Sequence, residues 1–402
     1  MHSTPLKAGA SVVDITPPLE VGLLTSSVRG EYGAFESVRL PLKARVLVLR
    51  SGHEMAALVS MDLLALNDTS VGGWQDFKEG MSDVIAAERI VITCTHTHNA
   101  PESVGLSGLY LTEAYQAWLI RVQRAIGEGI RRAVAGLRPC SVTFGTALLN
   151  GYSLQRRIPV ANGIIMSDAV QPISEELMNR GPVDRRVRTI RLTALSGEGI
   201  ATLVHAICHP VHEMCLPHIS ADFPGEMCLE MERSAEGGIP FFLNGAAGDT
   251  NPPTVSLGPG YARRHGRALA RIAGRRDGEE AADTAVFKAS YREVQLSVRP
   301  EANVLNMGDA LARFTALRIG TLAILFLPGE PFVEIALAIE RSSPFEHTIV
   351  AGFGENNIGY IPTDAAFAQG GYEVGPGKWS FLQRGADEVI YRTGLKLLEE
   401  LI

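Results

Sequence analysis

The stretch "VITCTHTHNAPE" (91–102) ends a run of β-branched and apolar residues in two histidines, His96 and His98. Residues i and i+2 of a strand point to one face, so two imidazoles at this spacing could share a metal ion. The competing reading is a strand end whose histidines are simply hydrogen-bonded, and on this segment alone that reading is the simpler one. Six of the ten histidines fall in two short windows, His96 and His98 in one, His205, His209, His212 and His218 in the other. Zinc in a catalytic site takes about three or four N/O ligands and keeps a position open for water. His205 and His209 would share a face of an extended strand, and Pro210 biases His209 itself towards extended geometry. His212 and His218 sit in a polar loop, where solvated side chains are the default. "HTH" by itself is weak evidence for a metal. "CHP", "PGE" and "GY" closing similar strands strengthen it.

Other reactive groups argue less. The five cysteines, Cys94, Cys140, Cys208, Cys215 and Cys228, are odd in number and contain no C-x-x-C pair. A disulfide framework is therefore not expected, and a reducing, cytoplasmic setting is. Cys94 and Cys208 adjoin candidate histidines, but a buried free cysteine acts mostly as a small hydrophobe. "NGAAGD" lacks the Lys-Ser/Thr ending of a phosphate-binding loop.

The elements that must position these groups repeat along the chain. "ARVLVLRSGHEMAALVSMD" (44–62), "RTIRLTALSGEGIATLVHAICHP" (188–210) and "ARFTALRIGTLAILFLPGE" (312–330) each read as two strand-like runs joined by a glycine-containing turn. Each predicts a hairpin whose second, more apolar strand lies deeper in a sheet. "RIVITCTHTH" runs to His98, "IPFFLNGAAGD" to Asp249 and "HTIVAGFGENNIGY" to Tyr360. Helices are expected over 74–87, 113–135, 224–236, 260–275, 331–341 and 385–401, with Pro331 suited to a first turn. Several strands ending in polar, metal-capable residues imply one crevice along a sheet edge. The expected class is α/β of the mixed α+β kind: mixed sheets flanked by helices, with a metal site at the strand ends. Since candidates run from 96 to 372 and no linker-like segment intervenes, residues 1–402 are expected to form one catalytic domain.

Composition narrows the function. Hydrophobic content of 46% and charged content of 20% fit a soluble globular protein, and no apolar run approaches a bilayer span. The opening "MHSTPLKAGASVVDITPP" lacks the basic flank and apolar stretch of a signal peptide. A net charge of −7 gives no electrostatic reason to expect binding to nucleic acid or anionic membranes.

At this point the residues converge on a resemblance. "AGASVVDITPP", "THTHNAP", "CHPVH…ISADFPG", "NGAAGDTNP", "LPGEPF" and "GYIPTDAAFAQGGYE" occur in the order found in the neutral (non-lysosomal) ceramidase family, over about residues 8–375. The chain resembles that family's N-terminal catalytic domain, a mixed α/β fold with one zinc at the bottom of a pocket. Carried over by motif, the resemblance implies His96, His209, Glu330 and Tyr360 as zinc ligands. His98 and Tyr372 become catalytic neighbours, and Arg156 or Arg157 in "LQRRIP" the substrate-side arginine. Two departures stand out: Asn251 replaces a serine of the family, and with the sequence ending at Ile402 after one helix, the family's immunoglobulin-like C-terminal domain is not expected.

Zinc in such a site activates water at neutral pH. Tyr372 would then stabilise a developing oxyanion, and Asn251 would donate a hydrogen bond to substrate. His98 is expected to protonate the leaving group from near its ordinary pKa. Asp62, Asp222 and Asp249 read either as orienting partners of the histidines or as turn and N-cap residues. The expected function is zinc-dependent hydrolysis of a linear amide in a small soluble substrate, without stable membrane association and with a homo-oligomer left open. The alternatives are an esterase or lactonase, a non-catalytic binding protein of the same fold, and a mononuclear iron enzyme.

Overall fold

All three expected hairpins form in the computed structural model, which describes residues 5–402 apart from 235, 283, 285 and 303–305. Lys43–Ser51 pairs with Glu54–Met61, Arg186–Ala194 with Gly199–Ala206, and Leu311–Ile319 with Leu322–Pro328, each antiparallel. Their turns use Gly52, Gly197 and Gly320 at φ of 58°, 92° and 58°, a region glycine enters without a Cβ penalty. Each second strand then leads through a helical crossover to a strand running parallel to it. Ile90–Cys94 returns beside Glu54–Met61, Ile239–Asn244 beside Gly199–Ala206, and His347–Gly354 beside Leu322–Pro328. The same unit therefore occurs three times.

These strands join into one mixed sheet. From one edge the order is Ile239–Asn244, Gly199–Ala206, Arg186–Ala194, Arg138–Leu148, Lys7–Asp14 and Lys43–Ser51. It continues with Glu54–Met61, Ile90–Cys94, His347–Gly354, Leu322–Pro328, Leu311–Ile319 and Phe287–Gln295. The sheet folds back on itself: Leu203, Phe241 and Leu243 from the first half pack with Leu58, Ile324, Phe326 and Ile349 from the second. Ser60 Oγ donates to the Phe242 carbonyl at 2.8 Å across this junction. The outer faces carry helices. Glu113–Ala135 covers Val46, Val48, Val59 and Ile92, and Val333–Ser342 with Ala386–Glu399 covers Phe314, Leu325, Leu327 and Val350. Asp222–Glu232 and Pro259–Gly274 cover Val204, Ala206 and Phe242. The layers run helix, sheet, sheet, helix, the mixed α/β class expected. Where both faces of a strand are covered, successive residues such as Val46 to Leu49 are all buried, so these strands read as unbroken apolar runs.

Glu113–Ala135 lies where the sequence places it, its Thr112 hydroxyl accepting from the Tyr115 amide. Two expectations fail. The helix over 74–87 is only Trp74–Glu79: Gly80 ends it, and Ser82 Oγ accepts from the Val84 and Ile85 amides, a local turn that competes with helix. Pro331 is not in a helical first turn. Glu330–Pro331 forms a short parallel ladder with Tyr360–Ile361, and the helix starts at Val333, whose amide donates to Asp249 Oδ1 at 2.9 Å. Residues 1–4 of the opening stretch, and residue 235 near the end of the 224–236 helix, lie outside the described residues.

Candidate metal centre

Each crossover unit sends its strand ends to one place. In the first, Thr95 and His96 donate their amides to the Met61 and Leu63 carbonyls, and His96 turns into the left-handed region at φ 71°. His96 and His98 therefore do not share a strand face, because the strand stops at Cys94. The turn brings them together instead, with ring centroids 5.0 Å apart. His209, from the second unit, has its ring centroid 4.7 Å from that of His96. The third unit supplies Glu330, in register with Tyr360 on the two-residue ladder.

The imidazoles are oriented from behind by backbone. His96 Nδ1 lies 2.7 Å from the Leu64 carbonyl and His209 Nδ1 3.3 Å from the Thr250 carbonyl. With Nδ1–H donating to a carbonyl, each Nε2 presents a lone pair to the interior. Glu330 Oε2 sits 3.4 Å from His96 Nε2 and 3.3 Å from His209 Nε2. Yet His96 Nε2, His98 Nε2 and Glu330 Oε2 are buried with no hydrogen-bond partner. The nearest ring nitrogens of His96, His98 and His209 all fall within 4.8 Å of one another. Buried lone pairs facing each other are costly unless something cationic sits between them. Imidazole nitrogens with a carboxylate oxygen suit zinc, and also iron.

Burial alone would raise the Glu330 carboxyl, but the facing His96 and His209 hold it well below the usual range. Burial, reinforced by the Arg156 guanidinium, pushes His209 down to about 4. His98 is partly exposed to the cavity, but its Nε2 is buried. Burial and the neighbouring His96 and His209 push it well below its ordinary value. That corrects the expectation of a near-normal His98: at neutral pH its imidazole is uncharged.

Arg156 lines the cavity and Arg157 does not. Arg156 Nη1 approaches His209 Nε2 at 3.2 Å and Asn251 Oδ1 at 3.4 Å, and its guanidinium carbon lies 5.2 Å from the Tyr360 ring centre. Arg157 lies instead over Phe332. Burial pushes the Tyr360 phenol well above its usual range, against the pull of Arg156. Tyr372 stacks on Trp379 at 5.4 Å, and its hydroxyl is 2.7 Å from Ser27 Oγ. The cavity holds about 260 Å³. Its walls are largely apolar, from Leu24, Val104, Leu106, Met166, Val211, Met214, Val255 and Trp379.

Several expected residues lie elsewhere. His205 stays inside the sheet layers, its Nε2 3.1 Å from the Val350 carbonyl and its Nδ1 3.3 Å from Arg188, so it is no substitute ligand. His212 is buried, with Nε2 3.1 Å from His265 Nδ1. The helix Pro259–Gly274 carries His265 over a loop that its polarity alone would leave solvated. The three aspartates do not orient the histidines; carbonyls do that. Asp62 holds Arg45, Asp222 accepts from the Glu213 and Phe223 amides, and Asp249 accepts from Gln155 and Val333. Cys94 and Cys208 are buried and their thiols pushed up by burial, as small hydrophobes would be. Sequence reasoning missed Glu102, whose carboxylate accepts from the amides of Val104, Leu106 and Ser107 and so shapes one cavity wall. It also missed Glu373, whose only signal was its place after Tyr372.

No protein-family model matches the chain, and no curated protein does. Solved structures do. The neutral ceramidase from Pseudomonas aeruginosa superposes with a TM-score of 0.75 at 18% identity, over 99% of this chain and 75% of that one. A ceramidase complexed with C2 gives 0.76 at 17%, over 98% and 75%. The chain has the neutral ceramidase fold. At such identity the likeness establishes the architecture alone. No helix among the described residues is long and apolar enough to cross a membrane.

Proposed function

We propose that this protein is a zinc-dependent hydrolase of a linear amide C–N bond, with the 1–402 span acting as one catalytic domain. The observation that carries the proposal is the set of buried, unpartnered polar atoms, His96 Nε2, His98 Nε2 and Glu330 Oε2, at the base of an apolar-walled cavity. His96, His209, Glu330 and Tyr360 would hold the ion. Bound there, zinc would polarise a carbonyl and lower the pKa of water.

The chain's own groups supply the rest. His98 Nε2, uncharged at neutral pH, takes a proton from the attacking water and returns it to the leaving nitrogen. Tyr372, its phenol pushed up to about 12 by burial, remains protonated and donates to the developing oxyanion. Arg156 adds positive charge on the same side. Asn251 turns its Oδ1 to Arg156, which leaves its amide N–H₂ for substrate. The apolar walls exclude water and receive an apolar group next to the amide. The reducing setting inferred from five free thiols belongs to this proposal as well.

The test is turnover of short N-acyl amines by zinc-loaded protein, beside matched esters, lactones and ceramide in vesicles. Amide cleavage is expected to be abolished by chelation and restored by zinc. Stoichiometric zinc with no amide turnover would overturn the reading, and activity on esters or lactones alone would move it to that class.

A further inference from the structure

Two consecutive arginines close on one carboxylate. Arg156 Nε donates to Glu373 Oε1 at 2.7 Å, and Arg157 Nη1 donates to Glu373 Oε2. The Glu373 side chain is fully buried, at 0% exposure. Arg157 also donates through Nη2 to the Gly370 carbonyl at 2.7 Å, so the same fork ties down the turn that precedes Tyr372. Ser380 Oγ donates to the Glu373 carbonyl at 2.6 Å, and Trp379 Nε1 to the Tyr372 carbonyl at 3.1 Å.

On Arg156 this arrangement leaves one nitrogen over, Nη2, with its two N–H groups. Nε is taken by Glu373, while Nη1 faces Asn251 and His209. Nη2 is buried with no partner, on a residue that lines the cavity. A guanidinium held at Nε by a carboxylate cannot rotate without breaking that contact, and breaking it would strand a charge in the interior. Arg157 blocks the other escape, since it keeps Glu373 from swinging away. Nothing in the proposed chemistry otherwise requires Glu373 or Arg157.

We propose that Glu373 is a positioning residue that sets two cavity groups at once, aiming Arg156 Nη2 at the substrate carbonyl and fixing Tyr372, with Arg157 as its second anchor. What the positioned groups do rests on the hydrolase reading; the positioning itself does not.

The experiment compares Glu373→Gln, Arg157→Met and Arg157→Lys in zinc-loaded protein, reading metal content, kcat and KM separately, and the emission of Trp379, which stacks on Tyr372. Glu373→Gln and Arg157→Met are expected to keep stoichiometric zinc. Their kcat should fall roughly 10- to 100-fold, as when a group orienting a site residue is lost, with a smaller change in KM and shifted Trp379 emission. Arg157→Lys retains a charge for Glu373 and is expected to recover part of the loss. Unchanged kcat and unchanged emission in Arg157→Met would overturn the proposal, and this variant decides even if Glu373→Gln does not fold. Should the wild-type protein hydrolyse no amide, the hydrolase reading fails. The emission of the three variants then tests the positioning alone, and an unshifted spectrum in Arg157→Met sinks it.

Discussion

His96 and Phe353 stack ring on ring at 4.0 Å, with 26° between their planes, and both hold left-handed backbones, at φ 71° and 53°. Neither is glycine, so each conformation costs on the order of 1–3 kcal/mol and survives only where its surroundings enforce it. The Phe353 amide donates to the Gly329 carbonyl at 2.9 Å, beside Glu330. One strained aromatic thus backs the His96 imidazole and fixes the chain that presents the carboxylate. Phe353→Leu should cost less than about 1.5 kcal/mol of stability but weaken zinc binding roughly tenfold. Paired chemical denaturation and zinc titration check this; equal zinc affinity would reduce Phe353 to packing.

His96 and His98 should fail differently. His96→Ala is expected to lose zinc and activity together. His98→Ala should keep stoichiometric zinc and lose roughly 10²–10⁴-fold in rate, the usual share of a general acid or base, with a smaller loss for activated esters, whose leaving groups need little protonation. If His98→Ala strips zinc as readily as His96→Ala, both are ligands. That outcome would fit the closeness of the three ring nitrogens.

Removing metal should destabilise the fold, because the unpaired atoms of Glu330, His96 and His98 remain buried without a cation. Zinc at a hundred times its dissociation constant should restore about 2.7 kcal/mol. Thermal unfolding with chelator and with added zinc measures this, and coincident curves would remove the metal from the structure.

Acid should unfold the protein through two histidines outside the cavity. Burial and the Arg188 guanidinium push His205 down to about 3, and burial pushes His212 down to about 4. Unfolded, both take up protons near 6.5. Their contribution is therefore present above that pH and lost as it falls towards 4, roughly 3 kcal/mol for each over that interval. Asp222, raised to about 7 by burial next to Glu213, acts in the opposite sense. Its contribution is present below the ordinary carboxylate range and lost as pH rises through 7. In urea melts across this range His212→Gln should flatten the acid limb, and Asp222→Asn the neutral one. Unchanged slopes in both would refute the assignment.

The hairpins were legible because apolar strand-like runs and the glycine turns between them are local signals. His96 and His98 were legible as a pair for the wrong reason, since a left-handed turn, invisible in composition, replaces the expected strand face. Glu330 and Tyr360 meet on a ladder of two residues per strand, too short to leave a periodic pattern, so their places at strand ends hinted at them and only the motif resemblance singled them out as ligands. His212 was misjudged because its cover comes from His265, on a helix later in the chain. Phe353 carried no signal at all: nothing in "VAGFGE" marks which residue must stack on an imidazole.

The threefold crossover design also bears on how the chain folds. The first unit holds His96 and His98, the second His209, the third Glu330 and Tyr360, and successive units place these more than about a hundred residues apart. Closing loops of that length and pairing strands across them is slow, because the entropy is lost before the contacts form. No fragment containing one unit can assemble the cluster. In a refolding experiment, zinc uptake should therefore trail helix formation and coincide with the last, slowest phase.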